Sequence, residues 1–371
     1  TARLAEALKQ LGASIAIVTS AANLSGGGDR GPDLAANIGD WNWGERKAVI
    51  EALARQAPDV VNIQYPTQNY GRRLMINFLP FFVRWSLKVP VVFTVHEFCS
   101  FTWLGRLRIA LSSALSDAVI VPDRENLASM ARTFPFLQSK IRHVPIGPSI
   151  VEAKIADFNR EDWRRGFQAS EDTLVIAYFG FLSPSKGVET LLEALELVAR
   201  EEPELDWRLL LIADREPADD RYAEYHRRIE QLLHSSPVRD LVHLTGYCSE
   251  QDVSQYLQSS DICVLPFSDG ATMRRTTLLC ALTHGLPVIS TYPQGRLDLE
   301  LEEGRNVMLV PANNAGALAR SIVRLAKDRE KRQHLAAGAR KLAGCLSWEE
   351  IGRRTLEVFA AARAGKEKAA K

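Results

Sequence analysis

Cysteine is scarce and scattered. The 371 residues hold five, Cys99, Cys248, Cys263, Cys280 and Cys345, with no Cys-x-x-Cys pair among them. A zinc ribbon and a disulfide framework both need closer spacing, so reduced thiols in a cytoplasmic protein are the expectation. An excess of charge is missing too. The 46 Lys and Arg stand against 45 Asp and Glu, for a net charge of +1. That balance excludes a protein held on nucleic acid by bulk electrostatics, while leaving room for a local basic patch. No apolar run is long enough to span a bilayer, so the expected location is the cytoplasm, or the inner face of the membrane. Neither a Walker P-loop nor a G-x-G-x-x-G fingerprint occurs, which weighs against NTPase and dehydrogenase chemistry.

What is present is an ordinary globular composition, 46% hydrophobic and 25% charged, in a chain long enough for two domains. Short apolar runs alternate with helix-period segments, the pattern of parallel α/β sheets. Runs at 14–19, 60–63, 91–95 and 118–121 read as strands in the first half. In the second half they fall at 174–179, 208–212, 242–244, 262–266, 287–290 and 307–310. Uninterrupted runs of this kind belong to strands covered on both faces. Helical patterns fill most gaps, at 188–200 and 313–327 for example. A polar stretch at about 151–165 separates the halves, giving domains at 1–155 and 166–345. A closing helix at 347–362 carries an apolar stripe (Ile351, Leu356, Phe359, Ala360) suited to packing, and the tail at 366–371 is expected to fray.

Two strand-loop-helix segments carry the chemistry. In 177–194 a buried strand runs into a loop with Gly180, Pro184, Lys186 and Gly187 before a helix begins. Loops at the carboxyl ends of parallel strands face the ligand crevice, and helix starts there favour anions. Lys186 is either a phosphate ligand or a solvated lysine beside a helix start. In 262–291 the loop carries Asp269, Arg274 and Arg275, with Thr276 or Thr277 placed to cap the next helix. Two arginines at a helix N-terminus share the sign of the dipole's positive end. A bound diphosphate relieves that repulsion; otherwise one or both arginines turn to water. One of the two is expected to be functional.

Gly180, Leu182, Lys186 and Gly187 resemble the G-R-L-x-x-x-K-G loop of the family 4 glycosyltransferases. Residues 280–288, C-A-L-T-H-G-L-P-V, resemble the helix and G-x-P-V turn that end their Glu-x7-Glu signature. These are retaining enzymes of the GT-B fold, two Rossmann-like domains facing one another across a cleft. The resemblance implies that the second domain holds a nucleotide-sugar and the first presents the acceptor, with neither cofactor nor metal. Three positions depart from it. Phe181 stands where the loop arginine belongs, Cys280 replaces the second glutamate, and Thr272 falls at the first unless Asp269 takes that role. Arg274 or Arg275 would then supply the second cation on the diphosphate.

Further segments extend the resemblance. T-V-H-E at 94–97 places His96 beside the acceptor, although a histidine there can also simply cap its strand. Thr245, Gly246 and Tyr247 match a loop that meets the nucleotide base in relatives, and 306–311 and the closing S-W-E-E-I also fit. Relatives open with a strand and a Gly-rich loop, so a segment is expected ahead of Thr1. Gly26, Gly27 and Gly28 read as a flexible loop, and Asp219 with Asp220 as a polar loop rather than a metal site. Arg72, Arg73, Phe78, Phe81, Phe82, Arg84, Trp85, Trp103, Arg106 and Arg108 mix basic and aromatic groups. Such a mixture suits a membrane surface or a lipid-linked acceptor, and core packing explains it as well.

The expected activity is transfer of a sugar, with retention, from a nucleotide-sugar to a glycan, lipid-linked or small-molecule acceptor, with no nucleic-acid partner. An epimerase or phosphorylase on the same fold is the enzymatic alternative. A binding protein without turnover is the other, favoured by Thr272 and Cys280 and opposed by Lys186 and the arginine pair.

Overall fold

A computed structural model describes residues 2–20, 34–65, 70, 73–213, 222–295 and 298–369. Gly26 to Gly28, Arg72 and the Asp219–Asp220 pair lie outside them. The chain divides into two units, one of residues up to Ile146 together with those from Trp348 on, the other Gly147–Ser347.

The first unit opens with α1 (Ala2–Gln10), β1 (Ile17–Ser20), β2 (Leu34–Ile38), α2 (Arg46–Arg55), β3 (Val61–Tyr65) and α3 (Met75–Ser86). It continues with β4 (Val91–Val95), α4 (Trp103–Leu115), β5 (Ala118–Val121), α5 (Arg124–Thr133) and β6 (Ile141–His143). The four-stranded sheet has the order β3-β4-β5-β6, and β1 pairs with β2; every pairing is parallel. Val91 to Val95 and Ala118 to Val121 are buried throughout, as uninterrupted β-branched runs in a covered sheet require.

The second unit runs α6 (Arg160–Gly166), β7 (Leu174–Phe179), α7 (Val188–Glu201), β8 (Trp207–Ile212), α8 (Ala223–Ser235) and β9 (Val242–Leu244). It then runs α9 (Glu250–Gln258), β10 (Ile262–Leu265), α10 (Thr276–Thr283), β11 (Val288–Thr291), β12 (Met308–Val310), α11 (Ala315–Lys327) and α12 (Arg329–Gly344). Its parallel sheet has the order β12-β11-β10-β7-β8-β9. Chain direction along the sheet therefore reverses between β7 and β10, the switch point at which doubly wound sheets open a crevice beyond their strand ends. α13 (Trp348–Ala369) returns to the first unit, where Ile351, Val358 and Ala362 pack with Val92, Ala118, Ile120 and Val144.

Ten of the twelve strands coincide with the apolar runs. The exceptions are β2, whose L-A-A-N-I reads as neither apolar nor alternating, and β6, only Ile-Arg-His. The change of unit precedes the polar stretch because Ile150 already joins the second core and its N–H lies 3.3 Å from Cys280 Sγ. The tail expected to fray from residue 366 is helical through Ala369, with Lys366 Nζ donating to Val89 O at 2.8 Å.

Candidate functional site

In the second unit, the loops after β7 and β10 meet at the switch point. Ser268 N–H donates to Ser185 O at 3.1 Å, tying one loop to the other. Gly187 adopts φ +69°, and a Cβ there would lie 1.9 Å from Pro266 O. Only glycine permits both the left-handed turn and that approach. Gly180, at φ +145°, is favoured by its backbone conformation more than by space: a Cβ would lie 3.3 Å from Thr277 Cγ2 and 4.0 Å from the Tyr178 hydroxyl oxygen.

The buried Phe267 is the centre of this junction. Lys186 Nζ lies 5.2 Å and Arg275 Cζ 4.2 Å from its ring centroid, both within cation–π range. Burial, then the neighbouring Arg275, brings the Lys186 ammonium down to about 8, with Asp269 opposing the shift. Arg275 is likewise lowered, chiefly by burial, and forms an ion pair with Asp269. Two cations are thus held close together against a single carboxylate. The Tyr178 and Thr277 hydroxyls are buried without a hydrogen-bond partner among the described residues, a state that buried polar groups normally avoid unless a ligand or water serves them.

The structure brings together Gly180, Lys186, Gly187, Asp269, Arg275 and Thr277. Arg274 is exposed next to them, so of the arginine pair it is Arg275 that enters the junction. The expected threonine cap is corrected. The cap position is Arg275 itself, without a side-chain cap bond, because Thr276 already begins the helix. Cys280 is buried in α10 with its Sγ 3.3 Å from both Ser149 Oγ and Ile150 N, so it serves the chain that enters the unit. Thr272 is half-buried. The carboxylate beside it is Asp298, whose Oδ2 accepts from Met273 N at 2.5 Å, a residue that no sequence signal marks. Thr245, Gly246 and Tyr247 follow the outer strand β9, separated from β7 by β8. Gly246 is left-handed at φ +67°, and Tyr247 is 77% exposed, an open aromatic face.

In the first unit, His96 follows β4. Gln64 Nε2 donates to Thr94 Oγ1 at 3.3 Å, and Thr94 Oγ1 donates to Asn62 Oδ1 at 3.0 Å. That direction of donation turns Gln64 Oε1 toward His96 Nε2, 2.8 Å away. The imidazole therefore carries its proton on Nε2 and keeps Nδ1 as an acceptor. Burial lowers its pKa to about 4, so it is neutral near pH 7. Gln64 is a positioning residue that sequence reading missed, since a glutamine on a strand announces nothing.

Of the basic and aromatic residues, Phe81, Trp85 and Trp103 are exposed, whereas Phe78 and Phe82 are half-buried. No helix among the described residues is long and apolar enough to cross a membrane. Nor do the described residues place three or more His, Cys, Asp or Glu side chains to share a metal.

Comparison with known proteins gives both units relatives. Residues 1–148 match the model described as Glycosyltransferase Family 4, and residues 173–328 match Glycosyl transferases group 1. A D-inositol 3-phosphate glycosyltransferase of Streptomyces bingchenggensis is 23% identical over 297 residues, covering 76% of this chain and 63% of that protein. The chain spans less than two thirds of the length of this and similar curated relatives. Among solved structures, a glycosyltransferase from Rickettsia africae superposes with TM-score 0.72 at 16% identity, over 97% of this chain and 93% of that one. Anabaena HepE in complex with UDP superposes with TM-score 0.67 at 17% identity, over 85% and 82%.

Proposed function

We infer that this chain, which carries a Glycosyltransferase Family 4 domain followed by a group 1 glycosyl transferase domain on the GT-B fold, moves a sugar from a nucleotide-sugar donor to an acceptor. The observation that carries the reading is the convergence of Lys186 and Arg275 on Phe267, at the switch point of the second sheet. A diphosphate bound there meets two half-desolvated cations, and the idle hydroxyls of Tyr178 and Thr277 gain partners. Departure of the nucleoside diphosphate develops charge on its β-phosphate, and cations already fixed at that point stabilise the transition state most directly. The departing phosphate takes the acceptor's proton, so no strong carboxylate base is required; retention of the anomeric configuration is what the family resemblance implies. His96, neutral and accepting through Nδ1, orients the acceptor hydroxyl in the first unit. Tyr247 offers a stacking face to the base.

The reading calls for neither metal nor cofactor. The acceptor is a glycan, a lipid-linked molecule or a small molecule, and the five free thiols accord with a cytoplasmic location. Because HepE was solved with UDP and with UDP-glucose, UDP-linked sugars are the first donors to test. UDP release should depend on both donor and acceptor and collapse in Lys186→Ala. Binding of UDP-sugars without any release across a broad acceptor panel would favour a binding protein instead.

A further inference from the structure

We propose that Asp298 is a positioning residue of the diphosphate site, a role that rests on the donor reading above. From beyond β11 it holds the Met273 N–H, and so sets where Arg275 stands. The chain from Phe267 to Arg275 leaves β10 and has to bring a guanidinium back over the Phe267 ring. Little within it fixes that path. Gly270 N donates to Phe267 O at 3.3 Å and Arg275 N to Thr272 O at 3.0 Å, and the Arg275 side chain makes no cap bond to α10. The neighbouring strand supplies the rest. Thr291 Oγ1 donates to Phe267 O at 2.6 Å, and Ala271 N donates to Thr291 O at 2.9 Å. Gly270, at φ +95°, runs so close to the chain after β11 that a Cβ would fall 2.1 Å from Pro293 Cα. All three tethers lie at or before Ala271.

Asp298 makes the tether nearest Arg275. Its Oδ2 accepts from Met273 N at 2.5 Å. Met273 is the second residue of the turn that the Arg275 N–H closes on Thr272 O, so its own N–H takes no part in the turn bond. A partner for that N–H fixes the turn, and with it the direction in which Arg275 leaves. A carboxylate suits the task, because a bond from a backbone N–H to an ionised oxygen is among the stronger kinds. Asp298 is itself held: Leu301 N donates to Asp298 O at 2.9 Å, and Leu301 is buried in the core of the second unit. The two carboxylates near Arg275 thus differ in what they grip. Asp269 pairs with the guanidinium and competes with an incoming anion, whereas Asp298 grips the backbone two residues earlier.

The test is calorimetric titration of UDP into the parent, Asp298→Ala and Asp298→Asn, each with and without Arg275→Ala, with melting temperatures for all. A group that acts through Arg275 has nothing left to act on once Arg275 is gone. Asp298→Ala should therefore weaken UDP binding severalfold in the parent and change nothing in the Arg275→Ala background, a non-additivity that independent contacts do not show. Asp298→Asn keeps an acceptor oxygen and should restore most of the affinity. Met273→Pro is the second variant. It removes the N–H at a turn position that favours proline and leaves Asp298 in place, so it should behave as Asp298→Ala does. Hydrogen exchange over 268–275 without ligand should quicken in Asp298→Ala and stay parent-like in Asp298→Asn. The proposal is overturned if folded Asp298→Ala binds UDP like the parent, or if its loss is as large in the Arg275→Ala background. It is equally overturned if Asp298→Asn binds as weakly as Asp298→Ala, which would mark the charge as touching the ligand. If the parent binds no UDP, the donor reading is what fails, and exchange alone decides: an unchanged rate in Asp298→Ala overturns the tether.

Discussion

Burial and the adjacent Arg275 hold the Lys186 pKa at about 8, well below the ordinary lysine value. The protonated form binds a diphosphate more tightly than the neutral form, by at least about the tenfold that a charge-assisted contact is worth. Affinity for UDP should therefore fall as pH rises through about 8, by that factor in all, and binding near pH 8 should be accompanied by proton uptake. Lys186→Arg, which stays charged, should flatten the profile over the same range. Calorimetry in buffers of differing ionisation enthalpy measures both effects. Asp269 gives a second expectation at this scale. It pairs with Arg275 and so competes with any incoming anion. Asp269→Asn should tighten UDP binding severalfold, since a charge-assisted bond is worth about 1.5–3 kcal/mol. Weaker binding would mean instead that Asp269 itself touches the ligand. The sequence marked Lys186, Asp269 and the arginines as candidates. It did not reveal which arginine turns inward or that Asp269 is its counter-ion, because both depend on the loops meeting over Phe267.

Elements explain what the motifs leave open. The Lys-Gly turn after β7 was legible because a left-handed glycine before a helix has a fixed local cause, and Gly187 meets it at φ +69°. Its second cause, the carbonyl of Pro266 pressed against it, comes from the loop just past β10, some eighty residues on, and has no local signature. The threonine cap failed for a related reason. Composition places a helix start within a residue or so, and one residue of error moves Thr276 from the cap into the first turn. Cys280 illustrates the same limit. It reads as a missing glutamate, yet in α10 it is buried against Ser149 and Ile150. Restoring the carboxylate by Cys280→Glu should therefore lower the melting temperature without raising sugar transfer. A buried carboxylate that displaces the contact to Ile150 N costs about 2 kcal/mol or more. Turnover above the parent rate in a variant of unchanged melting temperature would show that the position still serves the ligand.

On the scale of the whole chain, alternating apolar runs and helical periods were enough to read two parallel α/β domains, because strands buried on both faces leave an uninterrupted signature. The strand order was not legible, and it is the order that puts β7 beside β10 and gives the site its place. α13 returns to the first unit as the resemblance implied, but it packs through Ile351, Val358 and Ala362. Of the stripe read from the sequence only Ile351 is buried; Leu356 and Phe359 are half-buried and Ala360 is exposed. Its contribution can be measured. Ending the chain at Ser347 would uncover Val92, Ile120 and Val144, which pack with Ile351 and Val358. At about 1.5–3 kcal/mol for each large apolar side chain, the loss rivals the whole stability of a domain. Scanning calorimetry should show the first unit's transition lost, while a transition for the second unit, still shifted upward by UDP, remains.

The central claim is that one diphosphate site is built by Lys186 and Arg275 together, and titration of UDP into the parent, Lys186→Ala, Arg275→Ala and the double variant by calorimetry tests it most directly. Each single variant should bind at least about tenfold more weakly. The double variant should lose less than the product of the two, since the cations share Phe267 and one ligand group. Parent-like affinity in both single variants would contradict the account, and would place the nucleotide, if it binds at all, away from the junction of the two loops.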